Sequence, residues 1–269
     1  MNIPYHKQTV TKPAFPERIW SQPEQAARRG KLVIIGGNAH GVSSVMNAYD
    51  TCQKAGVGDM RVVLPGSLKS VTGKILENGT YAPHNPSGGF GKEALAVMLD
   101  AAQWADGALF AGDLAKNSET MIVMERFVEE YSGRILYAND AVDAIIKHHE
   151  ALKKQNKTAL VLTIAQLQTL IKELKLPRPV TSDMGLSQLV PLMTELSQTS
   201  GIILVLQYSD GILAACEGQI AYTEIQSSKQ PPATVLASYV AVWLIQQPEV
   251  SFEAITSAVW LSAQTVQAK

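Results

Sequence analysis

The residues of this chain that can do chemistry are acids and glycine-rich turns placed just beyond short apolar runs. Asp113 and Asp140 are the two acids so placed, where a carboxylate can take a proton or hold a ligand hydroxyl, or else form a turn or cap a helix. Gly36-Gly37-Asn38-Ala39-His40-Gly41-Val42-Ser43-Ser44 joins an apolar run to a helical pattern through three glycines. Its amides and the following helix N-terminus can hold an anion or a cofactor edge, which makes Gly37, Asn38, His40 and Val42 ligand-binding candidates. The same residues serve equally as a tight turn, and the GxGxxG spacing is absent. A second cluster, Pro86-Ser87-Gly88-Gly89-Phe90-Gly91-Lys92, reads either as a phosphate-cradling loop with a lysine or as a flexible linker, without P-loop spacing. The five histidines, His6, His40, His84, His148 and His149, lack metal-ligand spacing, so no metal site is expected. Adjacent His148 and His149 point in different directions on a helix. Cys52 and Cys216 have no CxxC partner and read as buried thiols.

These loops need a scaffold, and the hydropathy pattern supplies one. Leu32-Val33-Ile34-Ile35 is a continuous apolar run ending in Gly36-Gly37, the mark of a buried parallel strand. Val42, Val45, Met46 and Tyr49 then recur with helical spacing, Gly56-Val57-Gly58 stops the helix, and Arg61 to Leu64 is the next strand. The alternation continues through a helix at Lys92 to Trp104, a strand at Ala108 to Phe110, a helix from Ser118, and a strand at Ile135 to Ala138. A helix through Ile145, a strand at Ala159 to Leu162 and helices within 166–174 and 186–197 follow. Ile202 to Leu206 and Ile212 to Cys216 flank Tyr208-Ser209-Asp210-Gly211, a hairpin turn in which Asp-Gly accepts positive φ. Two apolar helices, 233–246 and 251–267, close the chain. This order predicts one α/β domain over 31–269, with a mostly parallel sheet covered by helices on both faces and an antiparallel edge hairpin. Residues 1–30, with Pro4, Pro13, Pro16 and Pro23, read as an N-terminal arm.

Composition narrows the function. Apolar residues make up 46% of the 269 and charged ones 17%, below the roughly 25% of an average domain, which excludes a disordered chain. With 23 basic and 24 acidic side chains there is no basic field to gather a polyanion, so no nucleic-acid partner is expected. The most apolar stretch, Val235 to Ile245, falls short of the roughly 20 residues that cross a bilayer, and the N-terminus has no secretory core, so a cytoplasmic protein without membrane contact is expected.

From about Gly30 onward the chain resembles the ribokinase-like ADP/ATP-dependent NAD(P)H-hydrate dehydratases. The closest stretch is Arg29-Gly30-Lys31-Leu32-Val33-Ile34-Ile35-Gly36-Gly37-Asn38, with Gly41-Val42 and Ala55-Gly56-Val57-Gly58. The resemblance implies a three-layer ribokinase-like fold, a homo-oligomer, ADP or ATP as nucleotide and an NAD(P)H-type ligand. Further along, the motifs that do the family's work are altered. Its Gly-Pro-Gly-Leu-Gly corresponds to Ala111-Gly112-Asp113-Leu114-Ala115, and its Asp-Ala-Asp-Ala-Leu to Ala138-Asn139-Asp140-Ala141-Val142. Its Thr-Pro-His corresponds to Thr163-Ile164-Ala165, and its Val-Leu-Lys-Gly to Val205-Leu206-Gln207-Tyr208. The family's Gly-Gly-Ser-Gly-Asp loop, which holds phosphate and carries the catalytic aspartate, corresponds to Gln230-Pro231-Pro232-Ala233-Thr234. Prolines have no N–H to give a phosphate, and Thr234 at the aspartate's position cannot act as a carboxylate base.

No residue is therefore assigned as catalytic. Gln207, Lys229, Ala233, Thr234 and Val235 are the nucleotide or anion candidates, because the helix starting near Ala233 presents amides at Thr234, Val235 and Leu236 beside a lysine. Alternatively, Thr234 turns its hydroxyl inward as an N-cap. Three readings follow: a pseudoenzyme that still binds a nucleotide or other small molecule or serves in an assembly; an active dehydratase or small-molecule kinase with rearranged residues; or an interaction protein whose cleft is filled by side chains such as Tyr208.

Overall fold

The computed structural model describes residues 5–76, 79–114, 116–148, 152 and 157–267. Pro4, Ala115 and His149, all weighed above, lie outside them.

Leu32 to Ile35 form the middle of β2 (Lys31–Gly36) and are essentially without exposure, as a run flanked by helices on both faces requires. Around it stand β3 (Asp59–Pro65), β4 (Gly79–Ala82), β5 (Gly107–Gly112), β6 (Arg134–Tyr137), β7 (Thr158–Thr163) and β8 (Ile203–Tyr208). All of these neighbours pair in parallel. β9 (Gly211–Cys216) runs antiparallel to β8 on one side and to β10 (Gln219–Glu224) on the other. The arm contributes β1 (His6–Thr9), parallel to β10, so one ten-stranded sheet has the order β1-β10-β9-β8-β7-β6-β5-β2-β3-β4.

Helices cover both faces. One face carries α4 (Ala94–Gln103), α5 (Ser118–Glu130), α6 (Asp140–Ile146), α7 (Ile164–Glu173) and α8 (Leu186–Ser200), whose Met98, Phe127, Ile145, Leu167 and Leu189 share a core with alternate strand residues. The other carries α2 (Ser43–Lys54), α9 (Ala233–Gln246) and α10 (Ser251–Gln267), whose Val45, Trp243 and Val259 form the second core. Two short helices, α1 (Pro16–Trp20) and α3 (Lys69–Thr72), lie outside this pattern. α9 is apolar all round because it is enclosed on nearly every side, with Leu236, Val240, Trp243 and Leu244 fully buried. The apolar closing helices therefore leave little hydrophobic surface exposed.

One turn differs from expectation. The β8–β9 hairpin forms where Ser209-Asp210 predicts it, but positive φ occurs at the next turn, at Glu217 (50°) and Gly218 (79°), and not at Asp210-Gly211. Gly211 is needed for space instead, since a Cβ there would sit 2.2 Å from the Thr223 carbonyl oxygen.

Candidate functional site

At the carboxyl ends of the parallel strands, the loop after β6 and the end of β8 reach the start of α9 through Asn139 and Gln207, and the loops after β2 and β5 are bonded to each other. Behind β2 the first glycine loop is knitted to the loop after β5. Gly37 N–H donates to the Gly112 carbonyl (3.0 Å) and Asn38 Nδ2 donates to the Asp113 carbonyl (2.6 Å). Asn38 also bridges the loop internally, accepting from His40 N–H at 2.7 Å. Ala39 N–H donates to the Gly88 carbonyl at 3.0 Å. Gly37 takes φ of 88°, and a Cβ on it would meet Leu68 at 2.9 Å, so only glycine fits without displacement.

The place where this loop was expected to hold an anion is occupied by the chain's own carboxylate. Asp113 Oδ2 accepts from Ser44 N–H (2.7 Å) in the first turn of α2, which begins after Val42. Asp140 does the same for its neighbour loop, its Oδ2 accepting from Leu114 N–H at 2.9 Å. Its other oxygen is buried without a hydrogen-bond partner among the described residues. Burial raises the Asp140 carboxyl above its ordinary pKa, the Leu114 hydrogen bond opposes that, and the charge of Asp113 adds to it.

Asn139, which the acid-centred reading of its motif passed over, links the two halves of the site. It donates through Nδ2 to the Ala111 carbonyl (2.7 Å) and to Thr234 Oγ1 (2.8 Å). Its φ of 53° with ψ of −134°, and the φ of 58° at Asp113, put two non-glycine residues in strained backbone at the ends of adjacent strands. Gly112, φ 115°, makes room, since a Cβ there would lie 2.9 Å from both Asn139 Cβ and Asp140 Oδ1. Gln166 was likewise missed, although Thr163-x-x-Gln166 spells a capping box. That box forms, and Gln166 Nε2 also holds the Asn139 carbonyl at 2.9 Å.

At the head of α9, Thr234 is nearly buried, and its hydroxyl is neither an N-cap nor free, because it receives the Asn139 amide. Pro232 is the N-cap residue. Leu236 N–H, expected to be available, donates to the Pro232 carbonyl at 3.0 Å, so the unused amides are those of Ala233, Thr234 and Val235. Gln207 Nε2 donates to the Pro231 carbonyl (2.8 Å), and Gln230 Nε2 reaches the Tyr208 carbonyl and, at 3.2 Å, that of Gly211. Both glutamines thus fasten the Pro231-Pro232 loop to β8. Lys229 stands exposed in the short turn before it.

The second glycine cluster wraps around Asn85, whose Oδ1 accepts from Ser87 N–H (3.0 Å) and Gly89 N–H (3.1 Å) while Gly88 N–H donates to the Asn85 carbonyl. Lys92 N–H is taken by Glu119 at 3.0 Å. With its amides turned inward, this loop is not a phosphate cradle. His40 is exposed on its loop, His6 packs on Phe15 and Phe252, and His148 pairs with Glu125 at 3.2 Å. Among the described residues no cluster could hold a metal ion, and no helix is long and apolar enough to cross a membrane. Cys52 and Cys216 are free and buried, and burial pushes both thiols up to about 12. Beside Asp140, a cavity of about 240 Å3 opens between α5 and α6.

An α/β sheet of this order, with its loops converging on the start of α9, is the ribokinase-like fold. Of solved structures, a ribokinase-like superfamily protein of Enterococcus faecalis is similar at 15% identity, covering 98% of this chain and 89% of that one, with a TM-score of 0.74. An ADP/ATP-dependent NAD(P)H-hydrate dehydratase of Bacillus subtilis, co-crystallised with ATP and Mg2+, is 12% identical over 98% of this chain and 88% of that one, with a TM-score of 0.64. A phosphomethylpyrimidine kinase of Clostridium difficile is 12% identical over 89% of this chain and 99% of that one, with a TM-score of 0.52. No family model matches the chain, and no curated protein does. At these identities the likeness is one of fold.

Proposed function

We propose that this chain is a divergent relative of the NAD(P)H-hydrate dehydratases that has lost dehydratase activity, keeps a cleft for a nucleotide or other small molecule, and works as a homo-oligomer. The observation that carries the reading is the engagement of Thr234 by Asn139 at 2.8 Å, at the position where the resembled family has its catalytic aspartate. A general base contributes about two to four orders of magnitude, and a threonine hydroxyl already used as an acceptor supplies none of it. The nucleotide end is reduced in the same way. Pro231 and Pro232 give no amides, Gln207 replaces a cation, and what remains for phosphate is three amides at the head of α9 with Lys229 nearby. That donor set fits a weakly held ADP or ATP, not one gripped as by a glycine-rich loop.

A second reading, an active dehydratase or small-molecule kinase with rearranged residues, draws on Asp140, whose raised carboxyl pKa lies beside an open cavity. Incubation with hydrated NADH and ADP or ATP separates the two. The first reading expects no recovery of NADH absorbance above background, and robust nucleotide-dependent recovery overturns it. Thermal shift with ADP, ATP, NADH and NADPH tests the cleft: a rise in Tm with at least one supports it, and no rise with any favours a vestigial site.

A further inference from the structure

Asp143 and Ala144 of α6 precede its C-cap residue Lys147 by four and three positions, so each lies next to Lys147 on the helix surface. That face turns toward the start of α5, where Ser118 and Met121 stand one turn apart, and Lys116 precedes the helix. The space between is about 240 Å3, many times the roughly 10–15 Å3 that one ordered water needs. It is large enough for a small organic molecule.

Its walls are chemically divided. Lys116 and Lys147 form no ion pair among the described residues. Lys116 stands at the positive end of α5, where Asn117 Oδ1 already accepts from Glu119 N–H and Thr120 N–H, and Lys147 comes from the end of α6, so the lysines and the Ser118 hydroxyl line the cavity as its donors. Asp143 supplies an acceptor from the α6 wall, and Met121 and Ala144 supply apolar surface between the charges. Asn117, Asp140 and His148 complete the lining, but Asp140 spends Oδ2 on Leu114 N–H and buries Oδ1, and His148 pairs with Glu125, so neither competes with the two lysines for an anion.

We propose that this cavity binds a compact hydroxylated anion with a short carbon chain. Its carboxylate or phosphate lies against Lys116 and Lys147, a hydroxyl donates to Asp143, and its carbons lie on Met121 and Ala144. Two lysines favour an anion over a neutral polyol, and Asp143 disfavours a bare anion that brings no hydrogen to donate.

The test is calorimetric titration of the wild type, Lys147→Gln, Lys116→Gln and Asp143→Asn with glycerol 3-phosphate, glycerate and inorganic sulfate, which has no hydrogen to donate. The phosphate ester and the hydroxy acid separate the two anion types. Binding of either one is expected to exceed that of sulfate, to fall at least about tenfold, or about 1.4 kcal/mol, in each lysine variant, and to lose its advantage over sulfate in Asp143→Asn. Absence of binding by both hydroxylated anions overturns the proposal, as does binding that both lysine variants leave unchanged. Lys147→Gln is expected to keep any thermal shift with ADP, so a failure here is distinct from failure of the α9 nucleotide site.

Discussion

Asp140 shows how a single residue carries both a legible and a hidden role. Its type and its place after β6 mark it from sequence as an acid at a ligand-binding edge, and the structure puts it there. What sequence cannot give is that one oxygen is spent on Leu114 N–H and the other is buried without a partner among the described residues, since both depend on where the β5 loop returns in space. Because burial raises the folded carboxyl's pKa, the folded state holds the proton more tightly than the unfolded chain. The group's contribution to stability is full below the unfolded value of about 3.9 and is lost as pH rises through the raised folded value. Asp140→Asn removes that titration, so its stability relative to wild type is expected to improve as pH climbs from about 4 toward neutrality. Urea unfolding at a series of pH values checks it, and a difference that stays flat overturns it. Thr234 carries the companion prediction. Thr234→Val takes away one acceptor of Asn139 Nδ2, which keeps the Ala111 carbonyl, so a loss of about 1 kcal/mol is expected. Thr234→Asp restores a carboxylate but no loop amides, so NADH recovery stays at background.

Elements were legible wherever burial on two faces writes a continuous apolar run or a helical period, as in β2, β5, α5, α9 and α10. β1, β4 and β10 were missed for a common reason: they lie at or near the sheet edges and are short or mixed in polarity, so neither run nor clean alternation stands out. Besides its backbone pairing with β10, β1 is held by one buried side chain. Gln8, 2% exposed, donates to Thr223 Oγ1 (2.7 Å) and to the Thr256 carbonyl (2.9 Å), while its Oε1 accepts from Ala14 N–H (3.1 Å). A glutamine in a proline-rich arm reads as solvated until the strand that it fastens is known. Gln8→Ala takes its partner from Thr223 Oγ1 and Ala14 N–H, while the Thr256 carbonyl keeps its place in the α10 helix, and a loss of about 1–3 kcal/mol is expected, read as a lower denaturant midpoint with an unchanged slope. A fall below about 0.5 kcal/mol indicates that β1 is dispensable to the sheet.

For the whole molecule, the apolar side chains of the two closing helices are packed inside, where Trp243, Ala254 and Val259 are fully covered. A case for self-association therefore has to rest on what remains outside. Trp20 is 87% exposed on α1, and Val71 and Ile75 are each 63% exposed, four residues apart beside β4. α1 packs on α10, near the β1 end of the sheet order, while α3 lies near the β4 end, so the two patches are separate. Either one exceeds the scattered single apolar residue that needs no explanation only if it is covered, and a charged fraction of 17% gives little repulsion against covering it. A dimer or tetramer is expected by light scattering at micromolar concentration. Val71→Glu with Ile75→Glu tests the α3 patch and Trp20→Glu the α1 patch, both without touching a core residue, and a two-fold closed interface through one patch predicts that only its own variant lowers the mass. A wild-type monomer ends the argument for assembly outright, whereas a stable oligomer in both variants moves the interface to a surface that is not apolar.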